Sequence, residues 1–554
     1  MHVSFLRAVS VCILTLAMIL FASIPVSAQT EGTFDLSFNS AGYRYQDYGG
    51  ALDEAMAVAV QPDGKIISAG YAEGISGTGT DFALARYNAD GSVDVSFGAG
   101  GRVTTAIGPG SNADVAYAVA IQTDGKIVAA GQADGIGGSG TDFAVVRYNA
   151  DGSLDLSFGV GGKVTTPIGP GSVTDIANAL AIQTDGTIVA AGYVDDMGSS
   201  GSDYAVVKYS TDGSLEPLFG IGGKVTTPIG ADAVGDFARA VVIQPDGKIV
   251  AAGYTEDASG DSIGFSVVRY NSDGTLDSSF EGDGKVISTI GSSTTFDIAT
   301  AVAMQSDGKI VAVGFTEDEF LGADFAVVRY NADGTPDATF DTDGIATTAI
   351  GPGANFDIGQ AVVIQPDGKI IAAGFTDDFG GGLGTDLALV RYNANGSLDN
   401  AFNTDGKATI DLGGTEFIRG VAIYSGNRIA VAGGGGSDFL TARIWLTTLT
   451  TAADVTISGR VTDETGRAIR GAVLTLADEK GVTRAVLSNT FGYYRFTRVG
   501  SENTYVLRAD ARRYAFADPV RIIDARSDLS SVDFVAQTLR SVPVLKGKFT
   551  SEVK

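Results

Sequence analysis

Residues 121–131 read I-Q-T-D-G-K-I-V-A-A-G, an apolar run, a turn and a second apolar run. Asp124-Gly125 supplies the positive φ that a two-residue type I′ hairpin turn needs. The same turn recurs at Asp63-Gly64, Asp185-Gly186, Asp246-Gly247, Asp307-Gly308 and Asp367-Gly368, in steps of 61, 61, 61, 61 and 60 residues. A degenerate copy, Ser425-Gly426, follows 58 residues later. So regular a period identifies a repeat architecture before any single residue is interpreted.

Outward from the turn, one unit reads as four strands. Residues 116–122 are apolar on both faces and are expected to be buried on both sides. Residues 126–131 follow through the hairpin, and their alanines and glycine suit close sheet packing near an axis. A Gly/Ser-rich loop leads to residues 142–148, D-F-A-V-V-R-Y, and the turn Asn149-Ala150-Asp151-Gly152. The phrase Leu154-Asp155-Leu156-Ser157-Phe158 then leads into 162–166, which alternates as an outer, half-exposed strand should. That phrase occurs seven times, each ending in Phe: Phe38, Phe97, Phe158, Phe219, Phe280, Phe340 and Phe402. The chain opens on a fourth strand, 42–48, and the repeats end on three strands, 420–424, 428–433 and 439–445. Complementary fragments predict an all-β, seven-bladed β-propeller closed by pairing of its N- and C-terminal fragments. An open β-solenoid is the rival, but its rungs would not need matching half-units.

The phrase Q-x-D-G-K-I-V-A-A-G…D-F-A-V-V-R-Y-N-A-D-G-S-L-D-x-S-F-G resembles the delta-60 repeat family of exported bacterial proteins over residues 34–446. The resemblance implies a propeller-like repeat and no particular activity. Lys208, where Arg147 stands in its own unit, is a local departure. Residues 447–453 read as a linker. From 454 to 537 a different pattern runs, with S-G-R-V-T-D at 458–463, G-A-V-L-T-L at 471–476 and F-G-Y-Y-R-F at 491–496. It resembles the carboxypeptidase regulatory-like domain, which implies a small prealbumin-like β-sandwich, a carbohydrate-binding-like fold used as an accessory module. Residues 538–554 form a basic tail.

Residues 1–28 read as a signal peptide, with Arg7, an apolar run from Ala8 to Ile24 and a Val26-Ser27-Ala28 cleavage site. An extracytoplasmic location is therefore expected: secreted, periplasmic or at the cell surface. After cleavage no stretch reaches the ~18 apolar residues of a membrane span. Cleavage also removes His2 and Cys12, the only histidine and cysteine. Disulfides, Cys/His zinc sites and His-based triads are thereby excluded from the mature chain. Net charge is −27; the last 104 residues hold sixteen Lys/Arg against twelve Asp/Glu, so the body, 29–450, carries −32. Such a body repels nucleic acid and anionic lipid. It leaves a cation, a basic protein or a cell-surface glycan as partner.

The expected ligand face carries two sets of carboxylates. Asp53, Asp114, Asp175, Asp236, Asp297, Asp357 and Glu416 lie between blades. Asp81, Asp142, Asp203, Asp324, Asp386 and Asp438 open the third strands, with Glu73, Asp134, Asp195, Asp196, Glu256, Asp257, Glu317, Asp318, Asp377 and Asp378 in the preceding loops. Repetition in every unit favours turn capping. A calcium ion, which prefers several oxygens, or a cationic or polyhydroxylated ligand is the functional alternative. A glycosidase would need one acid and one nucleophile or base standing apart from their repeats. The unit at 236–290, with Gly264 where Asp142 would be, is the place to look. Arg147 and its equivalents Arg86, Arg269, Arg329 and Arg391 are expected to pair with the Asp of the following phrase, and the Phe residues to plug neighbouring blades. The sequence thus points to an exported, non-enzymatic binding or surface-interaction protein. A carbohydrate-active enzyme and a purely structural envelope component are the alternatives.

Overall fold

A computed structural model describes residues 30–447 and 455–538, apart from short internal segments, among them 75–78, 135–139, 197–200, 257–262, 319–321 and 378–383. The leader 1–28, the turn Ser425-Gly426, Asp257, Asp378, the linker beyond Thr447 and the tail beyond Thr538 lie outside the described residues. All helix and strand structure among the described residues is β. No described helix is long and apolar enough to cross a membrane.

The repeats form four-stranded antiparallel sheets. One contains Val115–Ile121, Ile127–Asp134, Thr141–Tyr148 and Lys163–Thr166, paired in that order. The same order recurs in the sheets that begin with Asp53–Val60, Asp175–Ile182, Gly235–Ile243, Phe296–Met304 and Asp357–Ile364. The last sheet is assembled from both ends of the repeat region. Glu416–Tyr424, Arg428–Gly435 and Asp438–Trp445 pair in turn, and Tyr43–Gln46 joins as the outermost strand, with Tyr43 opposite Ala442 and Gln46 opposite Phe439. First strands of successive sheets touch in a cycle that returns from Glu416–Tyr424 to Asp53–Val60. The array therefore closes around an axis and leaves no open sheet at its ends.

One ion-paired unit holds the outer edge of every sheet except that of Gly201–Tyr209, where Lys208 and Glu216 stand in place of the arginine and aspartate. In the Val115–Thr166 sheet, Arg147 Nε donates to Asp155 Oδ2 at 2.7 Å, and Lys126 reaches the same carboxylate at 3.0 Å. The guanidinium lies 4.5 Å from the centre of the Phe158 ring and donates across to the Thr211 carbonyl of the next sheet. Phe158 is fully buried and packs with Val207 and Tyr209 of that neighbour. Arg86, Arg269, Arg329 and Arg391 make the same ion pair with Asp94, Asp277, Asp337 and Asp399. In the closing sheet the pair spans the chain: Arg443 Nε donates to Asp35 at 2.6 Å, and Arg428 lies 3.3 Å from the same carboxylate.

Two local expectations are corrected. The hairpin is not a two-residue type I′ turn, because only Gly has positive φ: Gly125 is at 83°, and Asp124 is not left-handed. The Gln122 and Lys126 backbones instead bracket a three-residue loop, with Gly125 N bonded to Gln122 O and Gln122 N to Lys126 O. This is a type I turn closed by a left-handed glycine. First strands are also not buried on both sides. From Tyr117 to Ile121 the strand is half-buried, because one face lines an open axial channel.

The C-terminal domain stacks two sheets. Tyr493–Val499, Val455–Asp463, Phe534–Thr538 and Tyr514–Phe516 form one, and Thr483–Leu487, Val473–Ala477, Thr504–Asp510 and Val520–Asp524 the other. Ile457, Leu474, Phe496, Leu507 and Phe534 fill the space between them.

Candidate functional site

The carboxylates singled out in the sequence divide into two tiers. Asp53, Asp114, Asp175, Asp236, Asp297 and Asp357 are essentially fully buried, as is Glu416. Each of the six aspartates accepts a backbone N–H from the segment entering its sheet: Tyr48 to Asp53 at 2.6 Å, Ile107 to Asp114 at 2.6 Å, Ile168 to Asp175 at 2.6 Å. Ile229, Ile290 and Ile350 donate to Asp236, Asp297 and Asp357. The second oxygen faces the end of the second strand, where Thr376 Oγ1 donates to Asp357 at 2.5 Å and Thr255 donates to Asp236. Burial pushes Asp53, Asp114, Asp236 and Asp357 up, and Asp175 up to about 6, against the pull of these N–H donors. These groups hold the inter-sheet segments in place.

The second tier, Asp81, Asp142, Asp203, Asp324 and Asp386, is half-buried at the start of the third strands. Burial raises Asp81, Asp142 and Asp324, partly offset by Lys163, Lys224 and Lys407 of the next sheet. Where Gly264 replaces the aspartate, Ile345 occupies the lysine's register position, so acid and base are lost together. Two groups of three carboxylates bring one oxygen each within 4.8 Å of one another: Asp47, Asp53 and Asp438, and Asp386, Asp411 and Glu416. They flank the closing sheet on either side, and oxygen donors of this kind suit calcium.

The axis holds residues that the sequence analysis passed over. Every first strand carries a β-bulge, and the extra residue turns toward the channel. The seven are Met56, Tyr117, Asn178, Arg239, Thr300, Gln360 and Arg419. All line one axial cavity of about 520 Å³. The glycine ending I-V-A-A-G makes the bulge fit: a Cβ on Gly131 would sit 1.8 Å from the Val115 carbonyl oxygen, and on Gly192 1.7 Å from that of Ile176. The scaffold repeats, and so do the alanines and valines beside the bulges, but among the bulged residues only arginine occurs twice. Apart from Asp and Glu, which do not line the cavity among the described residues, the set spans apolar, aromatic, amide, hydroxyl and cationic chemistry.

The two arginines differ. Arg419 Nε donates to Glu54 at 3.0 Å, and Tyr71 donates to the other oxygen of Glu54 at 2.9 Å. Arg239 has no carboxylate partner among the described residues. Its guanidinium lies 5.5 Å from the centre of the Tyr254 ring, which stacks on Phe237 at 4.8 Å, and Tyr193 meets Phe237 edge-on at 4.9 Å. Burial raises the Tyr117 hydroxyl, and the Arg239 charge from two sheets away pulls it down. Arg419 likewise lies over an aromatic ring, 4.7 Å from the centre of Phe417, so the divergent unit at 236–290 is distinguished by an axial cation without a carboxylate among the described residues rather than by the aromatic contact. It also holds Glu256, raised by burial and by Asp236.

Six segments, 61–97, 122–158, 183–219, 244–280, 305–340 and 365–402, match a domain of unknown function (DUF5122) beta-propeller. The body of this chain carries six of these beta-propeller repeats. Residues 456–537 match the carboxypeptidase regulatory-like domain. No curated protein matches the chain. Among solved structures, a protein of unknown function from Dyadobacter fermentans is 15% identical, with 73% of this chain and 99% of that one covered and a TM-score of 0.36. The α-L-arabinofuranosidase Arb93A of Fusarium graminearum is 9% identical, covering 59% and 92% at a TM-score of 0.37. PorZ, a bacterial surface component of the type-IX secretion system of Porphyromonas gingivalis, is 12% identical, covering 86% and 60% at 0.33. Every axial bulge residue falls outside the six matched segments of the beta-propeller repeats.

Proposed function

We propose that this propeller is an exported, non-enzymatic binding protein whose small polar ligand enters the axial channel. The observation that carries the reading is the axial ring itself, in which structurally equivalent positions hold almost entirely different side chains. A scaffold needs the same residue in every sheet, whereas an asymmetric ligand needs different ones. A half-buried cavity with aromatic walls and a few polar groups is the usual form of a small-molecule site. Export rests on the apolar leader and its small-residue cleavage site. Calcium at the two carboxylate groups beside the closing sheet would be a structural addition to this site. A cell-surface glycan is the partner class that suits the aromatic and amide lining.

A second reading, a carbohydrate-active enzyme, draws on the proximity of Asp236 and Glu256 in the divergent unit. Hydrolysis would need one of them as acid and the other as nucleophile or base, yet Asp236 is occupied by Ile229 N–H and Thr255. A glycan array probed with the full chain, with parallel assay of released reducing sugar, separates the two. Binding without product, lost when Tyr117 and Arg239 are both replaced by Ala, is the expected result. Turnover that disappears on Glu256→Gln would overturn the binding reading, as would an array with no hit at all.

A further inference from the structure

We propose that the axial cavity takes an acidic sugar, a saccharide bearing a carboxylate, and that Arg239 is the group that receives the carboxylate. This rests on the axial site argued above and names its ligand class. The body carries −32, yet no Asp or Glu lines the cavity among the described residues, and two guanidinium groups do. In so acidic a chain, an acid-free, arginine-bearing cavity is a local reversal of sign.

The two guanidinium groups are not equally available. Arg419 is neutralised by Glu54, which Tyr71 also holds. Arg239 is half-buried and rests on Tyr254, with one long contact from its Nη2 to the Tyr254 hydroxyl at 3.4 Å. A cation removed from water without a counter-charge is costly, and a carboxylate bound in bidentate fashion supplies both charge and geometry. The cavity asks for more than an inorganic anion. Half-buried Phe315 offers aromatic surface to the C–H face of a pyranose ring, while Tyr254, covered by Phe237 and Arg239, backs the guanidinium. Gln360 offers an amide to ring hydroxyls, and Asn178, whose Nδ2 is spent on the Ala238 carbonyl at 2.8 Å, keeps its Oδ1 as an acceptor. About 520 Å³ lies within the range of small-ligand sites.

The test is calorimetric titration of the full chain with D-glucuronate, its uncharged methyl ester, glucose and inorganic phosphate. Glucuronate should bind about tenfold or more tightly than the ester, the margin expected for a charge-assisted contact. Arg239→Gln should erase that margin with the melting temperature unchanged, and Glu54→Gln, which frees Arg419, should widen it. Equal affinity for acid and ester, a margin that survives Arg239→Gln, phosphate binding as tightly as glucuronate, or no binding of glucuronate at all would each overturn the proposal. The glycan array keeps the two failures apart: hits confined to neutral glycans sink the acidic-sugar inference and leave axial binding standing.

Discussion

The outer edge and the axis of this propeller follow opposite rules. At the edge the same buried Phe and the same Gly turn return sheet after sheet, and the same Arg–Asp pair in all but the one where Lys208 and Glu216 replace it. At the axis the bulged residue changes from Met56 to Tyr117, Asn178, Arg239, Thr300 and Gln360 before an arginine returns at 419. Both sets are fixed by the same fold, so the difference is not one of structural setting. Physical necessity explains the first, because every sheet must close its edge and meet its neighbour. The scaffold explains only part of the second: Asn178, Thr300 and Arg419 tie their bulges to a neighbouring sheet, through the Ala238 carbonyl, the Gly359 carbonyl and Glu54, but that need does not dictate a different side chain in each sheet.

The comparison breaks most readily at the closing sheet. Asp35 is fully buried and neutralises Arg443 and Arg428, joining the first described residues to the last strands of the ring. Asp35→Ala takes the carboxylate from the nearly buried Arg443 guanidinium and removes one ion pair from Arg428, and we expect a loss of about 3–5 kcal/mol in denaturant unfolding. Asp155→Ala should cost less, because Lys126 is part-exposed and can turn to water. If the two cost the same, the closing sheet holds nothing that the others do not. Gly131→Ala comes next. Its Cβ would meet the Val115 carbonyl at 1.8 Å, so the bulge must flatten or the strands part. A loss of about 1–3 kcal/mol is expected, together with displacement of Tyr117 from the channel, visible as changed ligand affinity.

The edge was legible in the sequence and the axis was not. Arg147 and Asp155 stand at fixed places in a recurring phrase, so their pairing followed from the period alone. The fragment 42–48 was recognisable as a fourth strand because its lead-in, Phe34 to Phe38, recurs. The axial ring escaped because a bulge shifts strand alternation by one, and a period-two reading assigns the extra residue to no face. The signal lay in the aligned triplets A-M-A at 55–57, A-Y-A at 116–118, A-N-A at 177–179 and A-R-A at 238–240: constant small flanks around a centre that changes each time. The inter-sheet aspartates were visible as a set. Their burial was not, because it depends on backbone N–H groups: the donating Ile-Gly recurs at 107–108, 168–169, 229–230, 290–291 and 350–351, but side-chain pattern does not show where an amide points.

Those aspartates give the pH dependence a definite sign. Asp53, Asp114, Asp175, Asp236 and Asp357 titrate higher in the folded chain than their ordinary value, Asp175 at about 6. The folded state therefore binds protons more readily, and stability rises as pH falls from 7 through about 6 toward the ordinary carboxylate range. At Asp94, Asp155, Asp277 and Asp337 burial opposes ionisation, but hydrogen bonds from Lys and Ser or Thr and the neighbouring Arg outweigh it and hold the carboxyl well below that range. Their contribution is present above the ordinary value and is lost as pH falls below it. The melting temperature should rise by about 2–4 °C from pH 7 to its maximum and fall steeply in stronger acid. Asp175→Asn should remove part of the rise and leave the acid limb alone. A flat profile between pH 7 and 5 would mean that the inter-sheet carboxylates are solvated.

The smallest expected effect tests the contrast most directly. Gln360→Ala and Tyr117→Phe alter half-buried groups that face an open channel, so each should change unfolding free energy by less than about 0.5 kcal/mol. Thr300 behaves differently: its hydroxyl donates to the Gly359 carbonyl at 2.8 Å, tying the bulge to the next sheet, and Thr300→Ala should cost about 1 kcal/mol. That internal control matters. If Gln360→Ala costs as much as Thr300→Ala, the axial side chains are bracing the ring and their variety is incidental. If it costs almost nothing while glucuronate affinity falls, the variety has a cause outside the fold, and that cause is a ligand without the symmetry of the scaffold around it.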